Sequence, residues 1–288
     1  MLTLIDSVLE HLDLERIETN LFRGFSESMG SGRVFGGQVI GQALIAALRT
    51  VEERPCHSLH GYFLRPGDPD LPIIYEVDRI RDGGSFTTRR VVAIQKGEAI
   101  FTMNTSFHVH EEGLSHQAIM PEVPSPDDLP TEQEVLEKNK HLYTDEMLKH
   151  QKRDRPIEMR RVENVNYALP VKMAPVQHIW YRSKKPLGDD YARHQCLLAY
   201  ASDMGLLSTA QLPHGQSWMT GLMTASLDHS MWFHKPFSFD EWILIAMEST
   251  ASAGSRGFIR ASMFTEQGEL VGSVAQEGLM RLVDTPKN

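Results

Sequence analysis

YFLRP at residues 62–66 is followed 170 residues later by WFHKP at residues 232–236, and this weak duplication decides how the chain is organised. The same offset, within one residue, relates two further sets of turn-forming pairs: Gly84-Ser85 with Gly254-Ser255, and Gly97-Glu98 with Gly268-Glu269. Each match alone carries little weight. Their common order and spacing indicate that the chain consists of two related halves.

The composition is that of a folded protein with a substantial core. Of the 288 residues, 41% are hydrophobic and 23% are charged, which excludes a largely disordered chain. The formal net charge of −9 argues against nucleic acid or an anionic membrane as the main partner. The two cysteines, Cys56 and Cys196, and the absence of a secretory pattern in MLTLID predict a reduced, cytoplasmic setting. No uncharged stretch is apolar enough to predict a membrane span.

Each half predicts one long helix and three antiparallel strands. In the first half, Gly36-Gly37 opens a helix over residues 38–50, and the strands are predicted at 73–81, 85–95 and 99–109. In the second half, Asp189 or Asp190 can cap a helix that runs through Cys196, Tyr200 and Leu207, and the strands are predicted at 242–250, 257–265 and 269–282. The expected fold class is therefore α+β, with two tandem units that each wrap an antiparallel sheet around a central helix.

A different composition separates the two halves. PEVPSPDDLP at residues 121–130 holds four prolines, and Thr131 with Glu134 predicts a capping box for a charged helix that reaches toward Lys152. We therefore expect an N-terminal unit at residues 1–118, a Pro-rich and charged linker at 119–160, and a C-terminal unit at 161–288 that carries the catalytic residues.

Asp203 is the candidate general base. By helical spacing it falls in the apolar stripe of the second helix, where an ionised carboxylate is costly unless it is paired, hydrogen-bonded or raised in pKa. A shifted helix register would instead place Asp203 at the surface, and the sequence leaves both possibilities open. The first helix has no acidic residue between Arg33 and Glu52, so the architecture does not demand one, and one half is specialised.

Two further polar residues follow from the same offset. Ser226 falls opposite Cys56 and Gln276 falls opposite Thr105, so an acid, a hydroxyl and an amide could converge on one water. On the strand that begins at Ser226, Asp228 shares the face of Ser226 and could orient the site. His229 points away and is expected to pack.

Competing sites are weaker. The chain has no G-x-S-x-G, which disfavours an α/β-type serine hydrolase. The histidine pairs 57/60 and 108/110 lack the further ligands of a metal site, so no metal is expected. Cys56 and His57 are neighbours on a strand and point to opposite faces, which disfavours a Cys-His dyad. For Arg65, Lys235 and Arg256, solvation is favoured over contact with a phosphate.

Six motifs in order resemble the acyl-CoA thioesterase II family, over nearly the whole chain. They are VFGGQVIGQAL (34–44), HGYFLRPGD (60–68), YASDMGLL (200–207), SLDHSMWFHKPF (226–237), GSRGF (254–258) and QEGLMR (276–281). The resemblance implies a double hot-dog fold, hydrolysis of fatty acyl-CoA without a cofactor, and a homo-oligomer such as a dimer or tetramer. It also implies a catalytic trio of Asp203 from Y-A-S-D, Ser226 before D-H-S-M-W, and Gln276 from Q-E-G.

The mechanism expected from this trio is attack by a water that Ser226 and Gln276 hold and Asp203 deprotonates. Attack by Asp203 itself, through an anhydride, stays open. A non-catalytic acyl-CoA-binding or sensing protein is the alternative on the same fold. A hydratase is disfavoured because Ser208 stands where that branch has histidine. The C-terminal residues 285–288 lack a Ser-Lys-Leu ending, which again predicts the cytoplasm.

Overall fold

A computed structural model describes residues 4–26, 32–145, 148, 152 and 155–283. The predictions drawn from the first three residues and from residues 285–288 lie outside these ranges. The strands in the described part are Glu15–Glu18 (β1), Leu21–Gly24 (β2), Cys56–Phe63 (β3), Ile73–Asp82 (β4), Phe86–Gln95 (β5), Glu98–His108 (β6), Ile157–Arg161 (β7), Val176–Ser183 (β8), Leu222–Ser226 (β9), Asp228–Phe233 (β10), Ile243–Ala253 (β11), Arg256–Thr265 (β12) and Leu270–Leu282 (β13). The helices are Leu4–Leu12 (α1), Gly36–Leu48 (α2), Glu132–Asn139 (α3), Tyr191–Ser202 (α4) and Ser208–Gln211 (α5).

Within these residues, all the strands join one antiparallel sheet in the order β1-β2-β4-β5-β6-β3-β10-β13-β12-β11-β8-β7, with β9 paired to β13. The predicted strands after each helix are confirmed to within about three residues at either end. Each half therefore contributes one curled group of strands. The predicted α+β double hot-dog architecture is confirmed.

The two halves meet where β3 pairs with β10. Tyr62 lies opposite Asp228 and Ser58 lies opposite Trp232. At the middle of this pairing His60 faces Ser230, its own counterpart in the duplication, and His60 Nδ1 lies 3.1 Å from Ser230 Oγ. An approximate twofold axis between the halves therefore passes through this pair of residues.

The first central helix, α2, is buried on almost every side. Ile40, Ala43 and Leu44 have no exposed surface, and the helix packs against β4, β5 and β6. A helix that is apolar all round belongs in the interior of a fold, which agrees with the prediction from its sequence. The helix begins at Gly36 and ends at Leu48, slightly earlier than predicted.

The two central helices run antiparallel and in direct contact. A Cβ atom added at Gly37 would lie 2.2 Å from the carbonyl oxygen of Tyr200, and one added at Gly41 would lie 3.2 Å from that of Cys196. A side chain at residue 37 has no room there. Glycine at these positions lets the start of α2 approach the end of α4.

The second central helix is shorter than predicted. Asp190 caps it, accepting a hydrogen bond from the backbone N–H of Ala192, as expected for one of the two candidate residues. The predicted continuation through Leu207 is wrong: α4 ends at Ser202 and Asp203 is its C-cap. Gly205 then adopts a φ of 77°, a left-handed conformation that stops a helix.

The linker begins as predicted. The side chain of Thr131 and the backbone N–H of Glu134 form a capping box with their reciprocal bond, and α3 follows it. Upstream, the carbonyl oxygen of Pro124 accepts a hydrogen bond of 3.0 Å from Trp180 Nε1, so this part packs on the outer side of the second unit. The expectation of one continuous helix toward Lys152 is wrong at Asn139, where α3 ends and a 3₁₀ turn follows. Residues 146, 147, 149–151, 153 and 154 lie outside the described part.

Candidate active site

Asp203 lies where α4, α2, β9 and β13 meet. Its Oδ1 accepts a hydrogen bond of 2.6 Å from Gln276 Nε2 and one of 3.1 Å from Ser226 Oγ. The backbone N–H of Gly37, in the first turn of α2, also donates to this carboxylate. The structure thus brings together the three side chains named from the sequence, and it adds a backbone donor from the other half of the chain.

The position of Asp203 differs in detail from the sequence prediction. The residue caps the end of α4 instead of lying inside its buried stripe, yet its carboxyl is turned into the protein. A Cβ atom added at Gly36 would lie only 2.7 Å from Asp203 Oδ2. The alternative in which Asp203 faces bulk solvent is therefore wrong.

Two adjacent strands position the hydroxyl and the amide. Ser226 is the last residue of β9 and pairs with Gly278 of β13, two residues beyond Gln276. The expected single strand from Ser226 onward is interrupted at Leu227. The backbone of Leu227 bonds to Glu277 on one side and to Phe63 on the other. This break turns the chain from one strand position to the next directly beside the site.

The environment of Asp203 makes it a usable base near neutral pH. Burial raises the pKa of its carboxyl from 3.8 to about 6, and hydrogen bonds from Gln276, Ser226 and Gly37 oppose part of that rise. The positive end of the α2 dipole also favours the charged form at this place. A base with a pKa just below neutrality is ionised at pH 7 and still binds a proton strongly enough to remove one from water.

His229 contacts the site, which sequence reasoning missed. It has no exposed surface, and its Nδ1 lies 3.3 Å from Gln276 Nε2 while its Nε2 lies 2.8 Å from Ser202 Oγ. Burial lowers the pKa of His229 to about 3, so the ring is neutral. The expectation that it packs is met, but its position directly behind Gln276 has no signal in strand alternation alone.

Asp228 touches the backbone beside the site. Its Oδ1 accepts a hydrogen bond of 2.6 Å from the N–H of Glu277, the residue after Gln276. A role in orienting the site, as suggested from the sequence, would therefore act through the backbone of β13.

A cavity of about 1400 Å³ opens onto Asp203. Its wall includes Leu207, Ser208, Gln211 and Trp218 from the segment between α4 and β9, and residues of α3 face it from the linker. The central helices begin at residues 36 and 191, whereas the strands that follow them are 170 residues apart. The second half thus carries a longer connection at this point, and that connection forms one wall of the cavity.

The opposite ends of the central helices form the place equivalent by the duplication, and it has a different chemistry. Arg49 caps α2 where Asp203 caps α4. Cys56, the counterpart of Ser226, is buried, and its backbone is bonded on both sides by the amide of Gln195. Burial raises the pKa of the Cys56 thiol to about 12, so it is unreactive as a nucleophile. Only one of these two places holds a carboxylate, a hydroxyl and an amide.

The remaining candidates take part in other contacts. Arg65, Lys235 and Arg256 each pair with a carboxylate: Glu98 at 3.2 Å, Glu269 at 3.2 Å and Glu277 at 2.8 Å, respectively. The rings of His57 and His108 lie 6.2 Å apart, edge to face. In the described ranges no three His, Cys, Asp or Glu side chains come together as a metal-binding group. In the same ranges, every helix is too short or too polar to cross a bilayer.

Comparisons with known proteins assign the family. The acyl-CoA thioesterase family model matches residues 147–279, and the model of the acyl-CoA thioesterase N-terminal domain matches residues 25–108. The chain is 38% identical over 283 residues to acyl-CoA thioesterase 2 of Haemophilus influenzae, covering 98% of this chain and 99% of the relative. It is 41% identical over 281 residues to acyl-coenzyme A thioesterase 8 of Mus musculus, covering 94% and 88%.

Solved structures agree with these relatives. An acyl-CoA thioesterase II, TesB2, from Mycobacterium marinum superposes with a TM-score of 0.79 at 43% identity, covering 96% of this chain and 99% of that one. A hot-dog protein from Alicyclobacillus acidocaldarius, at 18% identity, shares the fold with a TM-score of 0.77 over 96% and 98% of the two chains. The chain belongs to the acyl-CoA thioesterase family, and it is a thioester hydrolase.

Proposed function

We propose that this protein hydrolyses fatty acyl-CoA to a free fatty acid and CoA through a water held by Asp203, Ser226 and Gln276. The observation that carries the proposal is the hydrogen-bonded group itself: a carboxylate with a pKa of about 6, bonded to a hydroxyl and an amide, at the mouth of a large cavity. The acyl-CoA substrates in the names of the relatives support the same chemistry.

The reaction begins with proton transfer. Asp203 accepts a proton from the water as the water oxygen attacks the thioester carbonyl carbon, and a tetrahedral intermediate forms. General-base assistance of this kind is commonly worth about 10²- to 10⁴-fold in rate. The C–S bond then breaks and the sulfur leaves as a thiolate, whose stability makes a dedicated acid less necessary.

The start of α2 stabilises the charge that develops. The positive end of its dipole lies at Gly36 and Gly37, next to Asp203, so an oxyanion formed there meets the same favourable field. The absence of side chains at these two positions lets the substrate carbonyl come close to the backbone. The cavity beside Asp203, partly walled by Leu207 and Trp218, is the place we assign to the acyl chain.

The coarser organisation is part of this proposal. We assign residues 1–118 to an N-terminal hot-dog unit, 119–160 to a linker and 161–288 to the catalytic unit. The assembled enzyme is a homo-oligomer that acts in the cytoplasm in fatty acid metabolism. Sedimentation of the purified protein tests the oligomer, and a single species at the mass of one chain, 32.6 kDa, would contradict it.

The activity is tested by release of free thiol from a series of short to long acyl-CoAs, read with a thiol reagent. We expect release by the wild type and a loss of at least about 100-fold in Asp203→Asn. Binding of acyl-CoA without release would favour the sensing protein instead. In H₂¹⁸O, a single turnover places the label in the fatty acid if water attacks the thioester directly. Label in Asp203 would indicate the anhydride.

A further inference from the structure

We infer that His229 and Ser202 are positioning residues that fix the amide of Gln276 in one orientation, with its N–H group toward Asp203. The inference rests on the proposed function and adds two residues to it. It starts from a property of glutamine: the two ends of its amide are alike in size but opposite in hydrogen bonding. Something beyond shape must therefore decide which end faces the base.

The hydrogen bonds behind Gln276 make that decision. Ser202 Oγ donates to the carbonyl oxygen of Ala199 at 2.7 Å, so toward His229 it acts as an acceptor. His229 Nε2, 2.8 Å away, then carries the ring hydrogen, and Nδ1 keeps a lone pair. That lone pair faces Gln276 Nε2 at 3.3 Å and calls for an N–H group there.

The reversed amide would be strongly disfavoured. It would place the carbonyl oxygen of Gln276 against the carboxylate of Asp203 on one side and against the lone pair of His229 on the other. His229, Ser202 and Gln276 are all at most 2% exposed, so no bulk water can relieve that repulsion. The series from Ala199 to Asp203 therefore fixes one state of the amide.

This orientation has a consequence for the attacking water. Both hydrogens of the Gln276 amide are committed, one to Asp203 and one to His229. Its Oε1 has no hydrogen-bond partner among the described residues. Gln276 thus meets the water only as an acceptor. A water that gives one hydrogen to Asp203 and the other to Gln276 turns a lone pair toward the thioester.

The test compares His229→Leu with His229→Asn. Leucine removes the acceptor at Nδ1, so the Gln276 amide is free to turn. We expect kcat to fall by roughly ten- to a hundredfold with KM changed less than about twofold. The acid limb of the pH profile should move up by about one pH unit, because Asp203 loses a donor. Asparagine can present an oxygen near the position of Nδ1 and should restore most of the rate.

A matched control separates positioning from general damage. Met231 is also fully buried on β10 and makes no polar contact with the trio, so Met231→Ala should lower the melting temperature without moving the acid limb. Should His229→Leu fail to fold, Ser202→Ala removes the acceptor that fixes the tautomer. The same upward shift, smaller in size, is expected.

An activity-independent readout keeps this inference distinct from the proposed function. The ¹³C chemical shift of the Asp203 carboxyl gives its pKa with no substrate present. Thiol release absent from the wild type would overturn the proposed function alone. A carboxyl pKa that is the same in the wild type, His229→Leu and Ser202→Ala would overturn the positioning role, as would equal rates in the leucine and asparagine variants.

Discussion

Gln276 Nε2 lies 2.6 Å from Asp203 Oδ1, although 73 residues separate the two in the chain. One residue caps a helix and the other lies on the last strand of the sheet, so the contact exists only in the completed fold. The pKa of the carboxyl is set jointly by its burial, this amide, the hydroxyl of Ser226 and a backbone N–H from the first half.

Replacing Asp203 by Asn should abolish the base and leave the fold intact. The amide has the same shape and no charge to bury, so the melting temperature should not fall. We expect kcat to drop by at least about 100-fold with little change in KM, measured by thiol release and a thermal melt. Turnover within a few fold of the wild type would remove Asp203 from its role.

The pH dependence of activity and of stability should have opposite signs around Asp203. Because only the ionised carboxylate accepts a proton, kcat/KM should fall as the pH drops below about 6. Stability behaves otherwise. The folded pKa is raised above the unfolded value, so the folded state binds more protons, and the free energy of unfolding should decrease as the pH rises from about 4 to about 6.

This second effect amounts to at most about 3 kcal/mol for a shift of this size. Urea titrations at a series of pH values measure it, and the same series on Asp203→Asn is the control. The wild type minus variant difference should change only in that window. A difference that grows with pH instead would mean that the pKa of Asp203 is lowered by folding.

Gly36→Ala should damage the site more than the fold. The new Cβ would lie 2.7 Å from Asp203 Oδ2 and 2.9 Å from the ring of Phe63, so the carboxylate must move. We expect at least a roughly tenfold loss of kcat, since small displacements of reacting groups cost rate steeply. Gly84→Ala is the matched control, because a Cβ there meets open space. Equal rates in both variants would show that the carboxylate tolerates the contact.

Gly37→Ala and Gly41→Ala should differ sharply in stability. At residue 37 the added Cβ would fall 2.2 Å from a backbone carbonyl oxygen of α4, which cannot turn aside. We expect a loss of at least about 3 kcal/mol in the free energy of unfolding. At residue 41 the nearest contact is 3.2 Å, and the gain in helix propensity of about 1 kcal/mol offsets most of the crowding. Similar melting temperatures for the two variants would contradict the close helix contact.

The two cysteines should be silent in the native protein. Cys56 and Cys196 are buried, and burial raises the pKa of both thiols. A thiol reagent should therefore give no signal with the folded enzyme and two equivalents after denaturation. Rapid reaction of either thiol in the native state would show that the interior between α2 and α4 opens easily.

Periodicity and the duplication predicted most of the architecture because the buried positions of α2 and of the strands repeat strongly. They placed the end of α4 wrongly because apolar residues continue past it, at Leu206 and Leu207, and fill the core and the cavity wall without being helical. A glycine in that stretch, Gly205, was the available signal for the stop.

The trio was found from the motifs and the offset, whereas its surroundings were not. The offset of 170 residues aligns strands, but the longer connection after α4 gives the helices a different offset, so the counterpart of Asp203 is the end of α2 and not Arg33. The contact of Gly37 with Asp203 joins the two halves. It depends on how closely the helices pack, a quantity that no local pattern records.

The pairing of β3 with β10 gives the chain a freedom that two separate units would lack. If each half were its own molecule, the open border of β3 would be closed by an identical copy, and every substitution would occur twice around the axis at His60 and Ser230. Joining the halves in one polypeptide uncouples the two ends. One end keeps its carboxylate and takes on an extra wall of chain, while the other exchanges reactivity for packing.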